Sequence, residues 1–180
     1  MRRFKRVVYP LALAYMLVLA ACQRGAVDES APQAARETFS QWVMSANASS
    51  EYSYPDWASQ RVTGAPDVNA CADDSRAWAS ARGNGTEWLL LEYRVAVFAT
   101  QINIYQTYGR GAVSRITVYG TDDNSEVVWE GEDSTSPCPG ILSVPVPEQL
   151  YRIFSVRIDL DESRTHYWNQ IDSVELVGYR

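Results

Sequence analysis

From Trp88 to Val177 the sequence is a succession of short apolar runs, each closed by glycine, asparagine, aspartate or proline, with scarcely any 3.6-residue period. Trp88-Leu89-Leu90-Leu91-Glu92-Tyr93 begins one run, Gln101–Tyr108 alternates Ile102 and Ile104 with polar neighbours, and Val113–Tyr119 alternates Val113, Ile116 and Val118 imperfectly. Gly140–Val146, Ile153–Leu160 and Ile171–Val177 have ordinary strand length. Gly109-Arg110-Gly111 and Asp122-Asp123-Asn124 are turn residues and predict two β-hairpins. Pro147–Tyr151 predicts one helical turn as a connector. The pattern is that of an all-β antiparallel sandwich or barrel.

Ahead of these runs the signal thins. Phe39–Tyr54 suggests an opening strand running into an irregular loop, and Pro55-Asp56-Trp57 and Thr63-Gly64-Ala65-Pro66-Asp67 read as turns. Gln23–Thr38 is rich in alanine, glutamine, glutamate and serine and reads as a spacer. Sixteen such residues would span ~20–25 Å as a coil and ~55 Å fully stretched. The expected organisation is therefore an export segment at 1–21, a linker at 22–38 and one β domain at 39–180.

The export segment is read from Met1-Arg2-Arg3-Phe4-Lys5-Arg6 followed by the apolar stretch Val7–Ala21, too short to span a bilayer comfortably. It ends in Leu19-Ala20-Ala21-Cys22, which resembles the lipobox of bacterial lipoproteins. The resemblance implies cleavage before Cys22, a diacylglycerol on its sulfur and usually a third acyl chain, which together give stable anchoring. Gln23 in place of aspartate implies the outer membrane under enterobacterial sorting rules.

Cleavage would remove Arg2, Arg3, Lys5 and Arg6 and no acid, lowering the formal charge of −6 by four and leaving a lysine-free domain. Such a domain is ill suited to nucleic acid or anionic lipid, which select clustered cations. With Cys22 lipidated, Cys71 and Cys138 remain in an oxidising compartment. A disulfide is the natural expectation, with two buried free thiols as the alternative.

Several ordered blocks resemble the galactose-binding-like β-sandwich superfamily, which includes discoidin (coagulation-factor C-type) modules and carbohydrate-binding modules. They are Ala46–Tyr52, Trp57, Thr63–Asp67, Ala77-Trp78-Ala79-Ser80 and Glu87–Tyr93. Ile104–Tyr108, Gly111-Ala112-Val113 and Ile171–Gly178 are similar to the discoidin-like domain of certain F-box leucine-rich-repeat proteins. The resemblance implies a jelly-roll sandwich with its ligand on loops at one end, and it names no ligand. Calcium in such folds is structural, and Asp67, Asp73, Asp74 and Glu175 are the carboxylates available for it, without a residue-by-residue match.

Nothing in the chain reads as catalytic machinery. His166 is the one histidine, and neither a nucleophile elbow nor a phosphate loop occurs. Asp159 with Asp161, and Glu130 with Glu132, have the spacing that puts both acids on one face of a strand, more often a solvated face than a glycosidase pair. The remaining signal is aromatic: six tryptophans and eleven tyrosines. Sugar rings stack on such side chains, and the same side chains fill the cores of small sandwiches. Trp78 and Trp88 are assigned to the core, while Trp57, Tyr108, Arg110, Tyr167 and Trp168 lie beside turns and are the exposed candidates. The expectation is a non-catalytic module for a glycan or glycan-bearing surface. A structural lipoprotein that docks another envelope protein is the alternative, and an enzyme comes third.

Overall fold

The computed structural model describes residues 36–180, so the export segment, Cys22 and the linker as far as residue 35 lie outside the described residues. Eight strands follow in order: β1 Phe39–Trp42, β2 Ser45–Ala48, β3 Thr86–Tyr108, β4 Val113–Gly120, β5 Ser125–Glu130, β6 Gly140–Pro145, β7 Ile153–Asp161 and β8 Gln170–Tyr179. Every pairing among them is antiparallel.

β3 decides the architecture. Its first half pairs with β2 and β7, its second half with β8 and β6, and the register breaks between Glu92 and Val97, where the strand passes from one sheet to the other. A bulge of this kind bends a strand and increases its twist. The result is a sandwich with β1-β8-β3-β6 in one sheet and β2-β3-β7-β4-β5 in the other.

Alternation along the strands sends one face of each sheet inward. Leu89, Leu91, Ile116 and Ile158 from one sheet meet Ile102, Ile104, Val174 and Leu176 from the other, all fully buried. Burying each such side chain contributes ~1.5–3 kcal/mol. Trp78 closes this core at one end. It is fully buried, exchanges backbone hydrogen bonds with Ile171 at 2.9 and 3.1 Å, and donates its indole N–H to Ser50 O at 3.1 Å.

The register separates two ends. At the loop end lie Thr86 opposite Asp161, Val113 opposite Leu160 and Tyr108 opposite Gln170. At the far end lie Phe39 opposite Gly178, Phe98 opposite Tyr179 and Val97 opposite Ile153. β8 runs from one to the other over ten residues, about 30 Å at ~3.4 Å per residue.

Three expectations are corrected. Asp122-Asp123-Asn124 does close the β4–β5 hairpin, with Gly120 N–H donating to Asn124 O at 2.8 Å. Gly109-Arg110-Gly111 makes no hairpin, because Tyr108 and Val113 belong to different sheets. Pro147–Tyr151 is irregular, not helical. Trp88 is only half-buried: it lies on the outward face of its sheet, where the Arg157 guanidinium covers its ring at 4.9 Å.

Candidate functional site

The loop end collects aromatic side chains from four segments of the chain. Tyr52 stands edge-on to Trp57 at 5.3 Å and to Trp168 at 5.9 Å, and Tyr108 stands edge-on to Tyr167 at 6.3 Å. Tyr52 and Tyr167 are 55% and 58% exposed, while Trp57, Tyr108 and Trp168 are half-buried. Two hollows share Tyr108. One, about 60 Å³, is walled by Tyr52, Trp57, Trp168, Asp73 and Gln170. The other, about 430 Å³, opens beside Tyr167, Thr135, Thr165, Arg164 and the cystine, and lies within the range of small-ligand sites.

Polar contacts fix the rings. Trp57 N–H donates to Ser75 O at 3.0 Å, its carbonyl accepts from Ala79 N–H at 3.1 Å, and its indole N–H donates to Asp73 Oδ1 at 2.9 Å. These bonds hold Trp57 at φ 55, a left-handed conformation that a bulky residue seldom adopts. Gln170 donates to the same Asp73 oxygen at 2.5 Å and accepts from Asp74 N–H at 3.0 Å. Trp168 is cradled by two glycines: a Cβ at Gly83 or at Gly109, which has φ 56, would collide with the Trp168 backbone.

Beneath the rings lies a buried polar layer. Gln106 donates to Asp133 Oδ2 at 2.8 Å and accepts from Asn169 Nδ2 at 2.7 Å, and Asn169 also donates to Gly109 O at 3.2 Å. Arg110 donates to Pro137 O at 2.5 Å and faces Asp133 Oδ1 at 3.5 Å. Glu162 accepts from Asn169 N–H at 3.2 Å and meets the Ser80 hydroxyl at 2.8 and 2.9 Å. Burial pushes the Glu162 carboxyl up to about 7. The disulfide joins Cys71 to Cys138, tying the loop that carries Asp73 to the loop that follows Asp133. Closing a loop of sequence separation 67 stabilises by about 4 kcal/mol in the chain-entropy account.

Four of the five exposed candidates, Trp57, Tyr108, Tyr167 and Trp168, thus come together. Arg110 does not present itself to solvent: only 4% exposed, it forms part of the floor, neutralised by Asp133. Sequence reasoning missed Tyr52, Gln170 and Thr135, and placed Asp73 among metal ligands, whereas here it orients Trp57. The contact of Tyr52 with Trp168 joins residues far apart in the chain, and no local pattern announces it.

The four carboxylates considered for calcium do not converge. Asp67 and Asp74 face Arg76, whose guanidinium holds Asp74 below the usual carboxylate range, and Glu175 sits on β8 with Ser40 and Asn103. Among the described residues no three carboxylate, histidine or cysteine side chains group as a metal site. His166 is exposed at φ 56. Asp159 pairs with Arg157 at 2.8 Å and Glu130 with Arg115 at 3.1 Å, so these acids spend their charge on arginines. Ser163, with Arg164 nearby, keeps Asp161 low.

Residues 32–180 match the family described as pappalysin-1, SD scarf domain, C-terminal. No curated protein matches the chain. Among solved structures it is similar to the CBM32 of AlyQ in complex with 4,5-unsaturated mannuronic acid, at 16% identity and a TM-score of 0.58, over 77% of this chain and 97% of that one. It is similar to a pectin-binding carbohydrate-binding module at 15% identity and a TM-score of 0.59, over 74% and 89%. It also resembles chitosan-binding module 1 from the chitosanase/glucanase of Paenibacillus sp. IK-5, at 17% identity and a TM-score of 0.53, over 73% and 92%. At these identities the likeness is one of fold.

Proposed function

The chain belongs to the family of the C-terminal SD scarf domain of pappalysin-1, and on that premise we propose that it is a non-catalytic carbohydrate-binding module, membrane-anchored through Cys22, whose sugar lies against the loop-end aromatics. The observation that carries the reading is the convergence of Tyr52, Trp57, Tyr108, Tyr167 and Trp168 on two adjoining hollows. Ring faces offer sugar C–H groups a stacking surface, and Asp73, Gln170, Thr135 and Arg164 at the rim offer oriented hydrogen bonds to hydroxyls. The carbohydrate-binding modules that share the fold support the same reading.

The test is a glycan array probed with residues 22–180 carrying Cys22→Ser, with and without calcium. Specific binding that is indifferent to calcium is expected. Trp57→Ala, Tyr108→Ala or Trp168→Ala should each weaken it about tenfold, the equivalent of ~1.4 kcal/mol, while folding is retained. A folded protein that binds nothing on the array would sink the reading and favour a protein partner in the envelope.

Anchoring, with the outer membrane as its site, is inferred from the sequence around Cys22. Native protein should fractionate with membranes and carry acyl chains detectable by mass spectrometry on its Cys22 peptide. Cys22→Ser should be released to the soluble fraction; recovery of unmodified Cys22 would remove the anchor.

A further inference from the structure

The outward face of the β2-β3-β7-β4-β5 sheet carries a polar depression that the loop-end aromatics do not account for. Trp88, Asp159, Arg115 and Glu130 are register partners on β3, β7, β4 and β5. They therefore form one row across the strands, about 14 Å wide at ~4.8 Å per strand. A hollow of about 360 Å³ runs over this row and takes in Arg157 and Arg164 as well. Three ion pairs line it: Arg157 with Asp159 at 2.8 Å, Arg115 with Glu130 at 3.1 Å and Arg164 with Asp161 at 3.4 Å, every partner between 26% and 63% exposed. A fourth carboxylate on its wall, Glu87, accepts from the Ser50 hydroxyl at 2.8 Å. Arg164 also stands in the wall of the 430 Å³ hollow beside Tyr108 and Tyr167, so the two hollows meet across one side chain. Its Nη1 donates to Gly131 O at 2.8 Å, which tethers that ridge.

We propose that the sheet-face hollow is a second subsite for the glycan, and that the ligand is a neutral oligosaccharide laid from the Tyr108–Tyr167 hollow over Arg164 onto the Trp88 row, not a single terminal sugar. The inference rests on the glycan reading above. The chemistry of the lining selects the occupant. Each guanidinium is matched by a carboxylate, so no net charge of either sign draws an ion. An apolar segment would desolvate the pairs at a cost that its own burial does not return. A peptide has no backbone to pair with here, because β7 and β4 lie inside the sheet and their N–H and C=O groups serve its ladder. What half-exposed ion pairs do offer is N–H donors set beside carboxylate acceptors. A hydroxyl, which donates and accepts at once, answers both. The Arg157 guanidinium over the Trp88 ring at 4.9 Å adds an arginine-aromatic wall for the C–H face of a sugar ring. Continuity sets the path: Asp159 in the row is one pleat, about 7 Å, from Asp161 at the Arg164 ridge.

The test reads chain length. Residues 22–180 carrying Cys22→Ser are titrated calorimetrically with neutral glucan, galactan and mannan oligomers of two and of six sugars. In at least one series the six-sugar chain should bind about tenfold tighter than the two-sugar chain. Arg115→Ala/Glu130→Ala removes an exposed pair and should bring the six-sugar chain down to the affinity of the two-sugar chain. Trp88→Ala should do the same, with its unfolding midpoint as the check that it folds. A galacturonic acid hexamer should gain nothing over its dimer. Equal affinity at both lengths, a gain that survives both variants, a loss that is equal at both lengths, or a gain confined to the acidic hexamer would each overturn the sheet-face subsite. The two readings fail separately: two-sugar binding that is lost in Trp57→Ala but shows no gain with length overturns this inference alone, whereas no binding in any series overturns both.

Discussion

The two ends of the sandwich use arginine beside aromatic residues in opposite ways. At the loop end Arg110 is sunk beneath the rings and bound to Asp133 and the Pro137 carbonyl, so its charge is spent inside the fold. At the far end Arg36, Arg152 and Arg180 lie on top of the rings with their charge turned outward. The difference is one of position: the buried Arg110 leaves the ring faces above it uncovered, whereas at the far end arginines lie across the faces themselves.

The sharpest way to break this contrast is to remove the internal partner. Asp133→Ala leaves a buried guanidinium without its counter-charge and strips acceptors from Gln106 and Gly111 N–H. A loss of about 3–5 kcal/mol in chemical unfolding is expected. A loss below about 1 kcal/mol would mean that Arg110 reaches water and that the floor is not closed.

Glu162 offers the next largest effect. Its carboxyl holds a proton to about pH 7 in the folded chain against an ordinary value of 4.5. As pH rises between those values the unfolded chain gives up a proton that the folded chain keeps, so stability falls across that window, by about 3 kcal/mol, and levels off above it. In Glu162→Gln the carboxamide oxygen still accepts from Asn169 N–H and its NH₂ meets Ser80, so denaturant midpoints at pH 5 and pH 8 should differ less than in the parent. An unchanged difference would place the titration elsewhere. The smallest effect is expected at the far end: Arg152→Gln should leave the melting temperature within error, since an exposed cation over a ring adds little to folding. A clear drop would make the Arg152–Phe98 contact part of what holds the fold together.

Much of this was legible in the sequence. Alternation and turn residues gave the strand positions in the second half, because which face a residue takes depends only on its neighbours. Partnership is another matter. Gly109-Arg110-Gly111 looked like a hairpin since the local chemistry of a tight turn and of a passage between sheets is the same; only the pairing of Tyr108 with Gln170 and of Val113 with Leu160 distinguishes them. Arg110 read as exposed because its partner Asp133 is 23 residues away. Tyr52 escaped notice because its contact with Trp168 joins distant parts of the chain, as does the bond from Arg36 to Tyr179 across 143 residues. That Trp57, Tyr108, Tyr167 and Trp168 lie together at one end follows from one rule, aromatic residues beside turns, because the loops gather there.

The short pairing of β1 with β8 has a mechanical consequence. Phe39, Ser40, Gln41 and Trp42 run antiparallel to Gly178, Val177, Leu176 and Glu175, and the chain enters β1 from the far end. A tug between residue 36 and a ligand held in the loop-end hollows is therefore directed along β1, and slides it against β8 instead of peeling it away. In sliding, all four residue pairs must yield together; in peeling they would open singly, each in its turn. A module caught between a surface and its quarry would meet such a pull in its more resistant direction.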